Sequence, residues 1–324
     1  MVTSSKSSGW KHEVMNAALA RGVPRSTVLF AGDVTYDMYV MISHIPAPDE
    51  KLFTSGLRGQ GGGVVANAAA ACAVAGTPSR ALLQIADDVF AIAALSLLRT
   101  LGVEVVTEVV SGSTTLCTVL IEPHGEKRLL LTPGVSMYPS PSQSRGTDLA
   151  EIGWMHSAIY DEESCSVLVQ RCREMGIPFS LDLEPATLAS IEDLSKFVDG
   201  AAVLFCNTQS ARLLGPDAAE LLFQKGANAV VFTDGPKGAR WVESNSSHHV
   251  TPPPGAILDT TGAGDCLAGS LVARLMQGAS PEEALAYAVA AATIACAAVG
   301  AQSSYEVPQV VNAVLNTAYW KEIL

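Results

Sequence analysis

The chain has 324 residues, of which 48% are hydrophobic and only 16% are charged. This composition is typical of a folded protein with a large core and argues against a disordered chain. The formal net charge of −12 argues against nucleic acid or an anionic membrane surface as the main partner, although a local group of backbone N–H donors can still bind a phosphate.

The cysteines and the N-terminal residues bear on location. Seven cysteines are scattered along the chain without a Cys-x-x-Cys pair, which predicts reduced thiols in a cytoplasmic protein. Residues 1–25 lack an uninterrupted apolar core and predict a polar tail followed by a short helix, rather than a signal peptide. Residues 26–324 then predict one large domain.

The first predicted strand and helix enclose a glycine-rich turn. Residues 26–31 predict a buried strand, and residues 64–75 predict a helix that is dense in alanine and packed on most sides. The glycines of Gly59–Gly63 precede this helix and indicate a close approach of the backbone to a ligand. Asn67 is the single polar residue of the helix, and it either satisfies a backbone group or faces a ligand.

The next elements predict a small second sheet. Residues 80–85 and 103–110 predict strands on either side of a helix over 89–101. Two alternating runs, 114–121 and 127–131, are joined by a turn sequence and predict a hairpin. Together with residues 51–57, these runs could form a small sheet that stands apart from the main body as a lid.

The second half alternates between strands and helices. This alternation predicts parallel strands in one covered sheet, whose ligands bind beyond the carboxyl ends of the strands. Polar residues follow successive strands at that edge: Asp182 and Glu184, then Asn207, then Thr233 to Gly238. The predicted strands are 155–160, 178–183, 202–206, 229–233 and 239–242, and the predicted helices are 163–175, 185–197 and 210–225.

The stretch Asp259-Thr-Thr-Gly-Ala-Gly-Asp265 leads into an apolar run, 267–275, that predicts a helix. Glycines let the backbone approach a ligand, and the first N–H groups of a helix have no partner inside it, so an anion such as phosphate is expected there. Asp265 at the same place suits a group that takes a proton from a hydroxyl during phosphoryl transfer, or else a simple helix cap. Helices over 281–298 and 308–320 are predicted to end the chain.

Together, Asp259–Asp265 and the Gly61–Asn67 stretch resemble the two signatures of the ribokinase-like (PfkB) carbohydrate kinases. The resemblance covers residues 28 to about 304 and implies an α/β three-layer sandwich with a mostly parallel central sheet and a small β-sheet lid. The lid strands are expected from about residues 37–57 and 114–131. The implied activity is ATP-dependent phosphorylation of a hydroxymethyl group on a sugar or related polyol.

The resemblance also implies roles for individual residues. Asp265 matches the catalytic base, and its neighbours Gly262, Ala263 and Gly264 match the anion hole. It further implies sites for the sugar, the nucleotide and a monovalent cation such as K⁺, and a homodimer formed through the lid. The matching residues are Asp37, Gly62, Gly63 and Asn67 for the sugar; Asn207, Thr233, Gly235, Lys237 and Gly238 for the nucleotide; and Asp259 and Thr261 for the cation.

Two departures from the family pattern affect these expectations. Ser210 stands where the family usually has a glutamate associated with Mg²⁺, so Glu184 or Asp182 is expected to hold the ion through water. Val64 replaces a lysine of some ribokinases, which weakens the case for ribose as the acceptor. A nucleoside kinase and a non-catalytic sugar-sensing or partner-binding protein remain as alternatives.

Two polar pairs are expected to be solvated. Lys127–Arg128 predicts a solvated lid edge, with contact to an anionic group of a substrate as the minority alternative. His248–His249 lies in a polar, serine-rich stretch that predicts a solvated loop rather than a metal site.

Overall fold

The computed structural model describes residues 25–123, 127–135, 137–191, 193–253, 255 and 257–317. The predicted tail and short helix over residues 1–25 therefore lie almost wholly outside the described residues. The strands are β1 Thr27–Gly32, β2 Thr35–Met41, β3 Gly56–Gly62, β4 Ser79–Ala86, β5 Glu104–Val110, β6 Leu116–Ile121, β7 Lys127–Thr132, β8 Ile152–Ala158, β9 Phe179–Asp182, β10 Val203–Asn207, β11 Val230–Thr233, β12 Ala239–Val242 and β13 Ser247–Val250. The helices are α1 Val64–Val74, α2 Val89–Thr100, α3 Pro141–Gly146, α4 Glu162–Met175, α5 Pro185–Leu188, α6 Ser195–Val198, α7 Thr208–Leu214, α8 Ala218–Gln224, α9 Ala263–Met276, α10 Pro281–Ala295 and α11 Pro308–Leu315.

A nine-stranded sheet forms the centre of the protein, in the order β13-β12-β11-β10-β9-β8-β1-β4-β5. All strand pairs from β11 across to β5 are parallel, whereas β12 and β13 add antiparallel strands at one edge. The predicted mostly parallel sheet is therefore confirmed. Its parallel strands place their carboxyl ends at one edge, where the polar residues that follow them collect.

Helices cover both faces of this sheet. Along β1, Val28 and Phe30 pack into one apolar cluster with α1, α9 and α10, whereas Leu29 and Ala31 pack into a second cluster with α4. Successive side chains of a strand point to opposite faces, so a strand buried on both faces reads as a continuous apolar run. The result is the predicted three-layer arrangement.

Small residues let α1 and α9 lie in close contact. A Cβ atom at Gly269 in α9 would come within 2.1 Å of the carbonyl oxygen of Ala68 in α1, so only glycine fits at this crossing. Alanine makes up most of α1, which explains why this helix is buried on most sides without large side chains. The two helices thereby bring their first turns together at the site.

A separate four-stranded sheet has the order β3-β2-β6-β7. The predicted hairpin forms from the antiparallel pair β6 and β7. One face of this lid sheet holds a small apolar cluster of Tyr39, Cys117 and Val119. Residues 51–55, expected to be extended, lie outside any strand, and β3 instead runs through Gly56–Gly62. Glycine is depleted in strands, which is why the sequence did not show this one.

Two segments that were each predicted to form one helix are divided into two shorter helices, so these two predictions are wrong. The region 185–197 contains the short helices α5 and α6, because Ser190 and Asp193 hydrogen-bond nearby backbone groups and compete with helix formation. The region 210–225 is divided into α7 and α8 at Gly215, whose φ of 97° lies in the left-handed region that a helix interior excludes.

The two C-terminal helices are shorter than predicted. Helix α10 begins with a capping box between Ser280 and Glu283 and ends at Ala295. Helix α11 ends at Leu315, and residues 318–320 of the predicted helix lie outside the described residues.

All seven cysteines are buried and free. Within the part of the chain that the structure describes, no helix is both long and apolar enough to cross a membrane.

Candidate functional site

The loop Asp259–Gly262 leads into α9 at the carboxyl edge of the sheet. Gly262 has a φ of 74°, and a Cβ atom there would lie 2.4 Å from the Cβ of Ala301, so both conformation and space require glycine. Space around Gly264 is open: apart from its own helix backbone, no described atom lies within 4 Å of a Cβ built on it. The first-turn N–H groups of Ala263, Gly264 and Asp265 have no carbonyl partner inside the helix, so this helix start can receive an anion. The N–H of Ala263 makes a long bond of 3.3 Å to the carbonyl oxygen of Thr260 in the preceding turn.

Asp265 lies in the first turn of α9 and is hydrogen-bonded to α1. The side-chain nitrogen of Asn67 donates to Oδ2 of Asp265 at 2.7 Å. The side-chain oxygen of Asn67 accepts in turn from Nε2 of Gln302 at 3.0 Å. Asn67 and Gln302 are 4% and 1% exposed, so this chain of amides is fixed by its surroundings. Gln302 was missed from the sequence, since nothing in its local pattern marks it.

The environment of Asp265 favours its protonated form. Burial raises the pKa of Asp265 well above the ordinary value of 3.8, and the negative charges of Glu184, Asp33 and Asp37 raise it further. The hydrogen bond from Asn67 acts in the opposite direction, because it stabilises the carboxylate. A carboxyl group with a raised pKa in a polar cleft suits a proton acceptor in catalysis.

Asp37 and the glycines of the expected sugar site come together near the lid. Asp37 is 6% exposed, and its Oδ1 accepts from Oγ1 of Thr35 at 2.7 Å. A Cβ atom at Gly62 would lie 2.3 Å from Oδ2 of Asp37, and Gly63 has a φ of 104°. These glycines therefore leave the space that the Asp37 carboxylate occupies, and they turn the chain from β3 into α1.

Asp33 is a second residue that sequence reasoning missed. Its carboxylate accepts from the backbone N–H groups of Val64 and Val65, both at 2.9 Å, and so caps the start of α1. Burial raises the pKa of Asp33 to about 6, although these backbone hydrogen bonds lower it. Its position at the end of a buried strand was the available signal.

A cavity of about 410 Å³ lies beside the carboxyl ends of β10 and β11. Thr233, Lys237 and Gly238, which were expected to bind the nucleotide, line it, and Gly235 begins the short 3₁₀ helix Gly235–Lys237 in the same turn. His249 also lines the cavity. The solvated loop predicted for His248–His249 is wrong, because these residues lie in β13, where they pair with β12.

The strand ends next to this cavity carry Asn207 and two carboxylates. Asn207 caps α7, and its Oδ1 accepts from the backbone N–H groups of Gln209 and Ser210 at 2.9 and 3.0 Å. The Ser210 hydroxyl donates to the carbonyl oxygen of Leu183, between Asp182 and Glu184. Ser210 therefore fixes the strand end rather than supplying a charge.

Asp182 and Glu184 are carboxyl groups whose burial disfavours the ionised form. Burial and the charge of Glu184 raise the pKa of Asp182 well above its ordinary range, and burial raises the pKa of Glu184 to about 7. Among the described residues, no group of three or more His, Cys, Asp or Glu side chains is arranged to hold a metal ion alone. An ion at this pair would therefore need other ligands, such as water or phosphate.

Asp259 and Thr261, expected at a cation site, are both bound to Lys127 of the lid. The ammonium of Lys127 forms an ion pair with Oδ1 of Asp259 and lies 3.2 Å from Oγ1 of Thr261. The solvated edge predicted for Lys127 is therefore wrong. Its neighbour Arg128 pairs with Glu122.

Comparison with known proteins gives a consistent result. The pfkB family carbohydrate kinase model matches residues 26–308. The chain is 25% identical over 280 residues to the ATP-dependent ribose-1-phosphate kinase of Halopiger xanaduensis, covering 86% of this chain and 94% of that protein. It is 27% identical over 282 residues to the ribokinase of Bacillus subtilis, covering 84% and 93% of the two chains.

Solved structures share the fold. The ribokinase of Thermotoga maritima superimposes with a TM-score of 0.77 at 24% identity, over 90% of this chain and 99% of that chain. The ribokinase of Arabidopsis thaliana complexed with ribose and ATP also gives a TM-score of 0.77, at 20% identity, over 91% of this chain and 100% of that chain. The predicted ribokinase-like fold is confirmed.

The buried charge of Asp265 predicts a stability that depends on pH. Folding raises the pKa of Asp265, so ionisation of this carboxyl group destabilises the folded protein. This destabilisation is absent below the unfolded pKa of 3.8, grows as the pH rises, and becomes constant above the folded pKa. Asp265→Asn should therefore raise the thermal midpoint at pH 8, by about 1–2 °C for each kcal/mol relieved in a chain of this length, and raise it less at pH 5. Differential scanning fluorimetry measures this. Asp217→Asn, at an exposed position, is the matched control, and an equal or lower midpoint for Asp265→Asn at pH 8 would contradict the expectation.

Proposed function

Because the chain belongs to the pfkB family of carbohydrate kinases, we propose that it transfers the γ-phosphoryl group of ATP to a hydroxymethyl group of a sugar or closely related polyol. The observation that carries this proposal is the Asp265 carboxylate in the first turn of α9, next to the first N–H groups of that helix. A proton acceptor and an anion site thus lie side by side. The solved relative that holds ribose and ATP supports the substrate class.

Asp265 acts as the general base in this proposal. It takes the proton of the acceptor hydroxyl while the hydroxyl oxygen bonds to the γ-phosphorus, the bond from that phosphorus to the bridging oxygen of ATP breaks, and ADP leaves. Because Asn67 holds Oδ2 of Asp265, we assign the proton transfer to Oδ1. Gln302 fixes Asn67 and so orients the base indirectly.

The N–H groups of Gly262, Ala263 and Gly264 form the anion hole. Phosphoryl transfer spreads negative charge over the oxygens of the transferred group, and preorganised N–H donors stabilise that charge. The helix dipole of α9 adds to this effect at its first turn. The open space at Gly264 leaves room for the transferred group.

The acceptor is proposed to be neutral before phosphorylation. Asp37, Asp33, Glu184 and Asp265 are close enough to influence one another electrostatically, so an anionic acceptor would meet strong repulsion. The Asp37 carboxylate can accept hydrogen bonds from sugar hydroxyls, and the second hydrogen on the Asn67 nitrogen can donate to one. Gly62 and Gly63 let the sugar approach the backbone. Lys127 is engaged by Asp259 and does not offer a site for an anionic substrate group.

The nucleotide is assigned to the cavity beside β10 and β11. Thr233, Gly235, Lys237 and Gly238 form its loop, and Asn207 orders the neighbouring strand end. The side chain of Lys237 is 78% exposed, and its ammonium pairs with Asp234 at 3.0 Å. An exposed ion pair of this kind is weak, so the ammonium can turn toward a phosphate.

Magnesium is proposed to bind with ATP near Asp182 and Glu184. These buried carboxylates repel each other, and a divalent cation beside them would favour their ionised forms, so the residues fit the ion. Mg²⁺ keeps several waters in most protein sites, which agrees with a site that lacks a full protein cage. When bound, it neutralises charge on the phosphates. The monovalent cation implied at Asp259 and Thr261 does not fit in the same way, because both side chains bind Lys127.

The lid is proposed to form a homodimer contact. Leu129 and Leu131 are 64% and 52% exposed although they share a lid face with Val119 and Cys117 of the apolar cluster. An apolar surface of this kind is typical of a protein–protein contact. We further propose a cytoplasmic location, since free, buried thiols are typical of a reducing compartment.

The kinase proposal predicts turnover that depends on Asp265. The protein is incubated with ATP, Mg²⁺ and a panel of ribose, deoxyribose, fructose, ribose 1-phosphate and nucleosides, and ADP release is measured. Asp265→Asn should lower kcat by about 10²–10⁴-fold, the usual contribution of a general base, with Asp217→Asn as control. Near wild-type turnover by Asp265→Asn would show that Asp265 is not the general base. Turnover of nucleosides alone would favour a nucleoside kinase, and sugar binding without turnover under any cation condition would favour a sensing protein.

The magnesium proposal predicts a specific change on replacing Glu184. Glu184→Gln should raise the Mg²⁺ concentration needed for half-maximal turnover by about 10-fold or more, as loss of an outer ligand usually does. Glu163→Gln, at an exposed position on α4, is the matched control. A titration of Mg²⁺ at saturating ATP and acceptor measures the effect. Unchanged Mg²⁺ dependence in Glu184→Gln would place the ion elsewhere.

The dimer proposal predicts that a charge on the lid face prevents association. Leu129→Glu should shift the mass measured by light scattering after size exclusion from dimer to monomer, because a charge would be buried in the apolar contact. Val109→Glu on the edge strand β5, where Val109 is 58% exposed, is the control and should leave the mass unchanged. A wild-type protein that is monomeric at all concentrations would exclude the dimer.

A further inference from the structure

Lys127 reaches from the lid to the loop that precedes the catalytic helix. It is the first residue of β7 and pairs with Ile121, which pairs with Met41 of β2, so it lies on the same lid face as Asp37. Its side chain is only 20% exposed. The ammonium forms the ion pair with Asp259 and lies 3.2 Å from Oγ1 of Thr261.

The Asp259 carboxylate is buried and fully engaged. Its side chain is 2% exposed. Besides Lys127, it accepts from the backbone N–H of Thr261 at 2.8 Å through Oδ1 and from that of Gly300 at 2.9 Å through Oδ2. Burial raises the pKa of Asp259, but the hydrogen bonds from Lys127, Thr261 and Gly300 outweigh it and hold the pKa below its ordinary value. Asp259 is therefore an ionised, buried anion that joins two loops and needs a cation.

An inorganic monovalent cation at this place would need the oxygen atoms that Lys127 already uses. K⁺ and a lysine ammonium carry the same single charge and are of similar size. A buried carboxylate without a partner is strongly destabilising, so one of the two must be present, and the carboxylate oxygens do not leave room for both. In this chain the ammonium of Lys127, which is part of the protein, occupies the position beside Asp259.

We propose that Lys127 is a built-in monovalent cation for the phosphoryl-transfer site: its ammonium replaces an inorganic ion at Asp259 and Thr261 and joins the lid to the loop before α9. The proposal rests on the proposed kinase function. Lys127 is a positioning residue, since it acts through Asp259 and Thr261 on the conformation of Gly262 and the anion hole. Turnover should then need no added monovalent cation.

Because Lys127 belongs to the lid, its effect on the loop before α9 depends on the position of the lid. Lys127 can neutralise Asp259 only while β7 lies over the site, so the loop before α9 is fully ordered only when the lid is in place. An inorganic ion would order this loop whether or not the lid was closed. The ion pair therefore couples lid position to the anion hole through one contact.

The test exchanges K⁺ for a cation too large for the site. Wild-type protein, Lys127→Met and Arg128→Met are compared in KCl and in tetramethylammonium chloride at equal ionic strength, by thermal midpoint and by turnover. Arg128→Met is the matched control, because it removes a neighbouring lid charge that pairs with Glu122 rather than Asp259.

The expected results distinguish a lysine that takes the place of a cation from a lysine with a purely structural role. Wild-type protein and Arg128→Met should show the same thermal midpoint and turnover in both salts. Lys127→Met should lose about 10-fold or more of its turnover in tetramethylammonium, as misplaced catalytic groups usually cause, and KCl should restore much of it and raise the midpoint in a saturable way. A purely structural lysine would give no such recovery with K⁺.

Thallium(I) gives a readout that does not use turnover. Crystals soaked in thallium(I) acetate should show an anomalous peak beside Asp259 in Lys127→Met and none there in the wild-type protein. A wild-type protein that is activated several-fold by K⁺, or that binds Tl⁺ beside Asp259, overturns the proposal, as does a Lys127→Met variant whose midpoint is indifferent to K⁺.

These readouts separate this proposal from the kinase proposal. If no acceptor is phosphorylated, the kinase function fails, while the midpoints and the anomalous peak still decide the role of Lys127. If Lys127→Met folds only in KCl, the proposal is supported. If it folds in neither salt, the wild-type protein decides: indifference to K⁺ supports the built-in cation, and a K⁺-dependent midpoint excludes it.

Discussion

The hydrogen bond between Asn67 and Asp265 fixes the geometry on which the site depends. It joins the first turns of α1 and α9, which are 198 residues apart in sequence. The helices can approach because Gly269 leaves room for the Ala68 carbonyl. As a result, the glycine turn that precedes α1 and the glycine turn that precedes α9 lie at adjacent helix ends. In the proposed reaction, a hydroxyl at the first turn and a phosphoryl group at the second would be neighbours, which is the main requirement of the transfer.

The second constraint is that several carboxyl groups are buried close to one another at the site. The pKa of the buried Asp259 carboxylate is lowered, because it has a cation and several donors. The pKa values of Asp182, Glu184 and Asp265 are raised, since burial and mutual repulsion outweigh their hydrogen bonds. The site is therefore least stable in its ionised form, and this loss of stability falls on the residues proposed as the base and as the metal-binding pair. The proposed magnesium ion would compensate for this negative charge.

Much of this could be predicted from sequence, because its signals are local. Continuous apolar strands predicted the parallel sheet, and Asp259–Asp265 predicted the glycine turn that leads into a helix. Lys127 and Gln302 could not be predicted, since their partners lie 132 and 235 residues away and nothing in their own segments differs from a solvated strand or a polar turn. The division of residues 210–225 at Gly215 was visible in the sequence, but an isolated glycine inside a helical pattern is often tolerated.

A cation that belongs to the chain has consequences that a dissolved ion does not. Its effective concentration is set by the fold rather than by the salt, so the neutralisation of Asp259 becomes an intramolecular equilibrium. Opening the lid withdraws Lys127 and leaves a buried carboxylate without its partner, which is costly and favours the closed lid. Closure also excludes water from the site, where water would compete with the sugar hydroxyl for the phosphoryl group. One ion pair can thus make the ordering of the anion hole and the exclusion of water occur together.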